Sequence, residues 1–335
     1  MIVITLGILL LIIISLGLIE SHFHRLALAQ LPIRIHVNGS RGKSSVTRLI
    51  AAGLRAGGLK TLAKTTGTAP RIIDENGKDR IIHRLRSASI GEQVRLLRNF
   101  AKKKPDAVVI ECMAVNPQYQ WVSEHKMIKS TTSVITNVRP DHLDEMGLTL
   151  KDNAKSLSNT IPYNGNMVTI EGDLNRDGQL DALDQQIDEI FIDVTKKRNT
   201  RLFHATSNNI PLGYMDKFEY LEHVDNVALA LEVCKLNGID EEKALDGMMK
   251  SQPDPGATFI WELNISGIHN YFVNLLAAND PASTYSVFKQ LKSRIESKPV
   301  CIFLNTRDDR RYRTHQLLDL VYNKIKPTIP IILNV

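Results

Sequence analysis

Hydrophobic and polar positions divide the chain into one long apolar segment and a series of short apolar runs. Residues 2–19 are uncharged and almost entirely apolar. As a helix rising about 1.5 Å per residue, they reach roughly 27 Å, which is close to the thickness of the hydrocarbon core of a bilayer. The pattern therefore predicts a transmembrane anchor over residues 1–20.

The charges that flank this segment predict its orientation. The first basic residues, Arg25 and Arg34, follow the apolar run, so the positive-inside rule predicts a single-pass protein of the cell membrane with the bulk of the chain in the cytoplasm. A cleaved signal peptide is the alternative, because Ala27, Leu28 and Ala29 are typical of a cleavage site. Against this alternative, no Lys or Arg precedes the apolar run, which also exceeds the roughly 7–15 residues of a signal core.

After the anchor, short apolar runs alternate with amphipathic stretches of helical period. The runs 31–37, 106–110 and 133–138 each end in a polar or glycine-rich turn. This alternation predicts an α/β fold with a parallel sheet. We predict a central sheet domain over residues 31–250, a Pro- and Gly-containing hinge after it, and a smaller Rossmann-like α/β domain over residues 257–335.

A glycine-rich turn joins the first predicted strand to a helix predicted over residues 46–56. The glycines allow backbone N–H groups to surround phosphate oxygens, and the amino end of the helix adds partial positive charge. Lys43 would contact the terminal phosphates of ATP, and Ser44 would bind Mg²⁺. The residues predicted to bind the nucleotide here are Asn38, Gly39, Ser40, Arg41, Gly42, Lys43, Ser44 and Ser45.

Two other predicted strands end in side chains that can bind a metal ion. Glu111 follows an apolar run, where a carboxylate without a partner is costly to bury. His142 lies between Asp141 and Asp144, which can fix its tautomer. Because the carboxyl ends of parallel strands meet at one edge of a sheet, we expect Glu111, His142 and Ser44 to lie together. A salt-bridged or solvated strand end is the alternative for Glu111.

Charge is unevenly distributed along the chain. Residues 20–111 contain 18 Lys and Arg against 7 Asp and Glu, although the net charge of the whole chain is only +6. A basic segment beside a membrane favours anionic headgroups, nucleotide phosphates and polyanionic products. No nucleic-acid recognition module is readable, so nucleic acid is not an expected partner. The three cysteines are sparse and lack a CxxC pair, which indicates a reducing compartment.

Several sequence strings resemble one family. The loop G-S-R-G-K-S resembles that of Mur ligases and folylpolyglutamate synthetases, and T-N-V-R-P-D-H-L-D over residues 136–144 resembles a Mur ligase motif. Together with T-T-G-T-A-P-R and E-C-M-A-V-N-P, these strings resemble the membrane-anchored poly-gamma-glutamate synthase family called PgsB or CapB. The resemblance implies a P-loop Mur ligase-type domain that uses ATP and Mg²⁺, with Ser44, Glu111 and His142 as metal ligands.

The activity that this resemblance implies is that of an ATP-dependent acid–amino acid ligase. Such an enzyme forms gamma-glutamyl linkages through an acyl phosphate, in the synthesis of a poly-gamma-glutamate capsule or a released polymer. Lys43, Glu111, His142 and Lys155 are the catalytic residues that we predict on this basis.

Two assignments further along the chain follow from the same resemblance, and a third follows from its position after a predicted strand. Lys155 lies eight residues after Gly147, where some Mur ligases have a carbamylated lysine, and an ordinary exposed lysine is the alternative. Asn226 resembles the last Asn of the H-N-x-x-N stretch that lies near the adenine. Arg307 follows a predicted strand and could clamp a carboxylate or phosphate, with a solvated loop as the alternative.

The implied partners are glutamate, the growing poly-gamma-glutamate, the membrane and other membrane subunits of the synthase, of the CapC/PgsC and CapA/PgsA type. Assembly into a homo-oligomer is left open. So are two other classes of function, a membrane-tethered P-loop kinase and a nucleotide-gated scaffold of a capsule polymer export system. The last 79 residues are fewer than in a usual third Mur domain, so this domain is either small or incomplete.

Overall fold

A computed structural model describes residues 2–67, 69–83, 89–140, 142–172, 181–275, 281–292, 299–306 and 311–334. The chain forms two compact units. The first consists of Met1–Lys217 and His223–Asp254, and the second consists of Phe218–Glu222 and Pro255–Val335.

The first unit is built on an eight-stranded sheet. Its strands are β1 (Ile33–Asn38), β2 (Thr61–Thr65), β3 (Arg71–Ile73), β4 (Asp79–Ile81), β5 (Ala107–Glu111), β6 (Thr132–Ile135), β7 (Asn166–Ile170) and β8 (Arg201–Ala205). Their spatial order is β4-β3-β2-β5-β1-β6-β7-β8. The six strands β2, β5, β1, β6, β7 and β8 are parallel. Strands β3 and β4 extend the sheet in antiparallel fashion beyond β2. The predicted α/β fold with a parallel sheet is therefore confirmed.

The chain reverses its direction of travel across the sheet at β1. From β1 it passes to β2 on one side, and from β5 it crosses over β1 to reach β6 on the other side. The segments after β1, β5 and β6 therefore diverge at the carboxyl edge, which is where ligands bind in open α/β sheets. Residues that the sequence predicts to be functional follow β1 and β6, and Glu111 is the last residue of β5.

Helices cover the sheet of the first unit. They are α1 (Ile2–Ala29), α2 (Lys43–Ala56), α3 (Glu92–Ala101), α4 (Pro117–Val122), α5 (Leu143–Met146), α6 (Leu150–Leu157), α7 (Ala182–Lys197), α8 (Val224–Leu236) and α9 (Glu241–Met249). Every residue of α2 from Val46 to Leu54 is buried. This helix packs against α8, α9 and β2. Its burial holds the segment before it in a fixed position.

The amino-terminal apolar helix is present and is longer than predicted. Over its apolar window, α1 has a mean hydropathy of 3.1 and no buried residue, so it is long and apolar enough to cross a membrane. The helix continues to Ala29 because nothing interrupts it before Pro32, which disfavours helical geometry in the preceding residue. Near its end, Ala27 and Leu28 join a buried cluster that includes Phe100 of α3.

The second unit contains two small sheets. Strands β9 (Ile260–Ile265) and β10 (Ile268–Val273) form an antiparallel hairpin. The remaining elements are α10 (Pro281–Lys292), β11 (Cys301–Thr306), α11 (Arg311–Asp319) and β12 (Ile329–Asn334). Strands β11 and β12 pair in parallel. The unit therefore mixes strands and helices, as predicted from the sequence.

Candidate active site

The segment between β1 and α2 has the geometry of an open phosphate-binding loop. Gly42 occupies the position before α2 with a φ of +79°, in the left-handed region that favours glycine. Because glycine has no side chain, no N-cap oxygen competes for the first N–H groups of α2. Gly39 has a φ of +131°, and a Cβ atom there would collide with Thr136. Both glycines are therefore required by the local backbone.

Two residues after β6 hold the loop in place. The Arg41 carbonyl accepts hydrogen bonds from the Thr136 hydroxyl at 2.5 Å and from Asn137 Nδ2 at 3.1 Å. The Asn137 side-chain oxygen accepts from the Arg41 N–H at 3.1 Å. The Ser40 hydroxyl, itself buried, bonds to the backbone of Arg139. These contacts explain why β6 ends at Ile135, three residues earlier than predicted.

Ser44 and Glu111 are in direct contact at the carboxyl edge. The Ser44 hydroxyl donates to Glu111 Oε2 at 2.8 Å, and the N–H of Thr66, after β2, donates to the same oxygen at 2.6 Å. Glu111 is only 3% exposed. The ammonium group of Lys43 folds over the loop and donates to the Gly39 carbonyl at 2.6 Å. A cation, a hydroxyl and a carboxylate thus surround the open end of α2.

His142 lies on the segment after β6, at the start of α5. It has a φ of +44° and its side chain is exposed. The neighbouring Glu145 accepts a hydrogen bond at 3.1 Å from Asn116, which caps α4 after β5. The segments after β5 and β6 are therefore linked. In the described part of the chain, no three His, Cys, Asp or Glu side chains form a group suited to a metal ion, so the role of His142 stays a prediction.

The remaining predicted site residues differ in burial and in their distance from the loop. Asn38 is buried and its amide donates to Gln120 at 2.9 Å, so this side chain has a structural partner inside the protein. Ser45 lies in the first turn of α2. Asn226 of α8 lies against the loop, because a Cβ on Gly42 would be 2.5 Å from Asn226 Oδ1. Lys155 is exposed on α6.

Arg307 lies outside the residues that the structure describes, and its predicted clamping role is untested. The carbamylation of Lys155 is likewise a prediction, and the exposure of this side chain is also compatible with the alternative of an ordinary surface lysine.

Asp254 is a carboxylate near the site that the sequence did not single out. A Cβ on Gly67 would lie 3.5 Å from Ser44 Oγ and 3.6 Å from Asp254 Oδ2, so these two side chains flank the same glycine. Asp254 also lies 3.8 Å from the buried guanidinium of Arg48, which pairs with Asp79. The only available signal was the position of Asp254 in the predicted hinge.

A buried ion pair joins β1 to the segment before β6. His36 Nδ1 is 2.8 Å from Glu124 Oε2, and both side chains are at most 1% exposed. Burial alone lowers the pKa of His36, but the neighbouring Cys112 sulfur and the Glu124 carboxylate outweigh it and raise the pKa to about 9. The other Glu124 oxygen accepts from the backbone and hydroxyl of Ser130. Both oxygens of this carboxylate therefore take part in holding the segment before β6.

Comparison with known proteins identifies relatives along most of the chain. Residues 37–213 match the Mur ligase middle domain, and residues 260–333 match the poly-gamma-glutamate synthase CapB C-terminal domain. The chain is 39% identical over 308 residues to PGA synthase CapB of Bacillus subtilis (strain 168), covering 91% of this chain and 75% of that protein. It is also 39% identical over 331 residues to the capsule biosynthesis protein CapB of Bacillus anthracis, covering 97% and 68%.

Solved structures with the same fold include folylpolyglutamate synthases. An FPGS-AMPPCP complex matches with a TM-score of 0.60 and 18% identity, covering 95% of this chain and 91% of that chain. The folylpolyglutamate synthase of Thermotoga maritima matches with a TM-score of 0.58 and 16% identity, covering 94% and 80%. At these identities the likeness shows the fold, and the predicted Mur ligase-type architecture is confirmed. The chain belongs to the CapB family of poly-gamma-glutamate synthases, with a Mur ligase middle domain at its centre.

Proposed function

We propose that this chain is an ATP-dependent amide ligase that joins glutamates through gamma-linkages in the synthesis of poly-gamma-glutamate. The contact of Ser44 with Glu111 at the open end of α2 is the observation that supports the proposal most directly. Its relatives at 39% identity include a protein named PGA synthase. A solved structure with the same fold, with a TM-score of 0.58, contains Mn, AMPPNP and L-glutamate.

The donor set fits a hard divalent cation. Ser44 offers a hydroxyl oxygen and Glu111 a carboxylate, and these oxygen ligands suit Mg²⁺ better than softer metals. Among the residues that the structure describes, no basic side chain contacts the buried Glu111, so its charge is costly to bury and a bound cation would offset that cost. Mg²⁺ bound there would neutralise charge on the phosphates during phosphoryl transfer. We propose His142, on the adjacent segment, as a further ligand.

The residues of the loop would position and stabilise the transferring group. The first N–H groups of α2 bind phosphate oxygens, and the Lys43 ammonium leaves the Gly39 carbonyl to contact the γ-phosphoryl group. The side-chain carboxylate of one glutamate takes this group from ATP, which gives an acyl phosphate and ADP. The amine of a second glutamate then attacks the carbonyl carbon, phosphate leaves, and the amine loses a proton. No protein nucleophile is needed, so the chemistry depends on positioning and electrostatics.

We further propose that α1 is retained as a single-pass membrane anchor with the catalytic part in the cytoplasm. Ala27 and Leu28 are 8% and 6% exposed and pack in the core of the first unit. Cleavage after Ala29 would remove both from that core. As partners we propose the growing polymer and further membrane subunits of the synthase, because a polyanionic product must cross the membrane next to this anchor.

Release of ADP tests the proposed activity. Purified protein with its membrane subunits, ATP and Mg²⁺ should release ADP only when glutamate is added. Lys43→Ala should lower this rate by about 10²-fold or more, because one electrostatic contact to the transition state is lost. Lys243→Ala, an exposed lysine on α9, is the matched control. Release of ADP without glutamate, with phosphate left on protein, would favour a kinase, and ATP binding without ADP release would favour a scaffold.

A further inference from the structure

A second cavity lies at the edge of the sheet opposite the phosphate-binding loop. Its volume is about 890 Å³, and its wall includes residues at the amino ends of four parallel strands, Arg34 of β1, Thr131 before β6, Asn166 of β7 and Arg201 of β8. The loop follows the carboxyl end of β1. The two sites are therefore separated by the length of the strands, and none of the residues proposed for ATP or Mg²⁺ lines this cavity.

The cavity has a positive lining. Lys126, Lys129 and Arg201 are exposed at its wall, and in the described part of the chain none of them forms an ion pair with a carboxylate. Arg34 adds a fourth cation, whose guanidinium donates to the Lys129 carbonyl at 2.8 Å. Glu124, the acidic residue among the described lining residues, is 1% exposed and is paired with His36. The cavity thus exposes its cations to solvent, whereas its carboxylate is buried and paired. This charge distribution favours an anionic ligand.

Three asparagines add hydrogen-bonding groups to the wall. Asn164 and Asn199 are exposed and bond to each other at 2.8 Å, and Asn166 accepts from Arg201 at 3.2 Å. Side-chain amides can both donate and accept, so they suit a ligand that has amide groups of its own. A simple inorganic anion has no amide groups that could pair with these side chains.

The aromatic side chains of the cavity are already in contact with one another and with cations. His125 lies between Trp121 and Tyr163, with ring centroids 5.1 Å from each. The Lys126 ammonium lies 5.3 Å from the Trp121 ring, and the Arg198 guanidinium lies 5.5 Å from the Tyr163 ring. Because these cations and the imidazole occupy the faces of the Trp121 and Tyr163 rings, the two rings are poorly suited to stacking on a nucleobase.

The wall is also firmly held. Residues Ser123–Ile128 form a π-helical turn, an irregular geometry that is frequent at functional sites. Glu124 fixes this turn through His36 on one side and Ser130 on the other. Lys129 follows the turn in a left-handed conformation, with a φ of +49°. The cations are therefore mounted on a pre-organised scaffold, which lowers the entropic cost of binding.

We propose that this cavity binds a γ-linked glutamate oligomer, the product of the ligase, at a site distant from the phosphate loop. This inference rests on the proposed function, which supplies the ligand. Each γ-linked unit has one carboxylate for the cations and one amide for the asparagines. The volume exceeds the needs of a single small anion and suits a ligand of several units. A polymer held here would stay at high effective concentration near the enzyme between additions of glutamate.

Binding of a synthetic γ-linked glutamate hexamer tests the assignment. We expect Lys126→Gln/Arg201→Gln to weaken binding, measured by calorimetry on the full chain, by about two- to thirty-fold, because two exposed ion pairs are lost. Lys235→Gln/Lys243→Gln, which removes two exposed lysines from α8 and α9, is the matched control and should bind as the wild type does. Equal affinity of both double variants for the hexamer would overturn the assignment.

A footprint on the unmodified protein makes the test independent of variant folding. The hexamer should slow acetylation of Lys126 and Lys129 and leave Lys243 unaffected, as read by mass spectrometry. Protection by a short-chain phosphatidylglycerol in place of the hexamer would assign the cavity to a lipid headgroup and overturn the proposal. Glutamate-dependent ADP release is measured on the same preparation after the membrane subunits of the synthase have been added. Its absence would refute the proposed ligase, whereas its presence without a hexamer footprint would refute only this site.

Discussion

Replacing Gly42 by alanine adds one Cβ atom to the loop and so tests its backbone geometry. Gly42 has a φ of +79°, and holding an L-residue in this region costs roughly 1–2 kcal/mol. The added Cβ would also lie 2.5 Å from Asn226 Oδ1. Asn226 is 9% exposed, so its side chain must rotate within a packed region, at a cost of about 1 kcal/mol. We therefore expect Gly42→Ala to lower the free energy of unfolding by about 2–3 kcal/mol.

The two contributions can be separated by a double-mutant cycle in urea, with Asn226→Ala as the second change. Removing the amide of Asn226 removes the collision but leaves the backbone strain. Gly42→Ala should therefore cost about 1 kcal/mol less in the Asn226→Ala background than in the wild type. A cycle in which the two substitutions are additive would refute the contact between the loop and α8. A cost near zero in both backgrounds would refute the left-handed conformation itself.

Three further predictions concern the proposed metal ligand Glu111, the buried ion pair and the packing of α2. Glu111→Gln should lower glutamate-dependent ADP release at least about 10²-fold, and raising the Mg²⁺ concentration should restore part of the rate if the loss is one of metal affinity. The raised pKa of His36, about 9 against 6.5 when unfolded, means that its stabilising contribution is complete below pH 6.5 and is lost as the pH rises through 9. The melting temperature should therefore fall between pH 7 and 10, and fall less in Glu124→Gln. Gly247→Ala places a Cβ 2.7 Å from the Ala52 carbonyl, so denaturation should show a loss of about 1–3 kcal/mol.

The parts of the site that are local in sequence could be predicted from it. The apolar run before Gly39 and the order of Gly42, Lys43 and Ser44 predict strand, turn and helix without knowledge of the rest of the chain. Glu111 was recognised because a carboxylate directly after an apolar run requires a partner. That partner, Ser44, is 67 residues away, and the parallel arrangement of the strands brings the two together.

Other features depend on contacts between distant segments and could not be predicted. The hydrogen bonds of Thr136 and Asn137 to the loop join residues about 95 apart, and they shorten β6. Asp254 lies near Ser44 only because the chain returns to the sheet after α9. Likewise, the cations of the second cavity come from one turn and two strands, and no local pattern around Lys126 or Arg201 links them.

The fate of a labelled oxygen tests the central claim, transfer of phosphate from ATP to a glutamate carboxylate, most directly. Glutamate labelled with ¹⁸O in its side-chain carboxylate is supplied with ATP and Mg²⁺, and the released phosphate is analysed by mass spectrometry. An acyl phosphate leaves one carboxylate oxygen on phosphorus when the amine attacks. We therefore predict one ¹⁸O atom in each phosphate formed during ligation, and unlabelled phosphate accompanied by gamma-linked product would contradict the account.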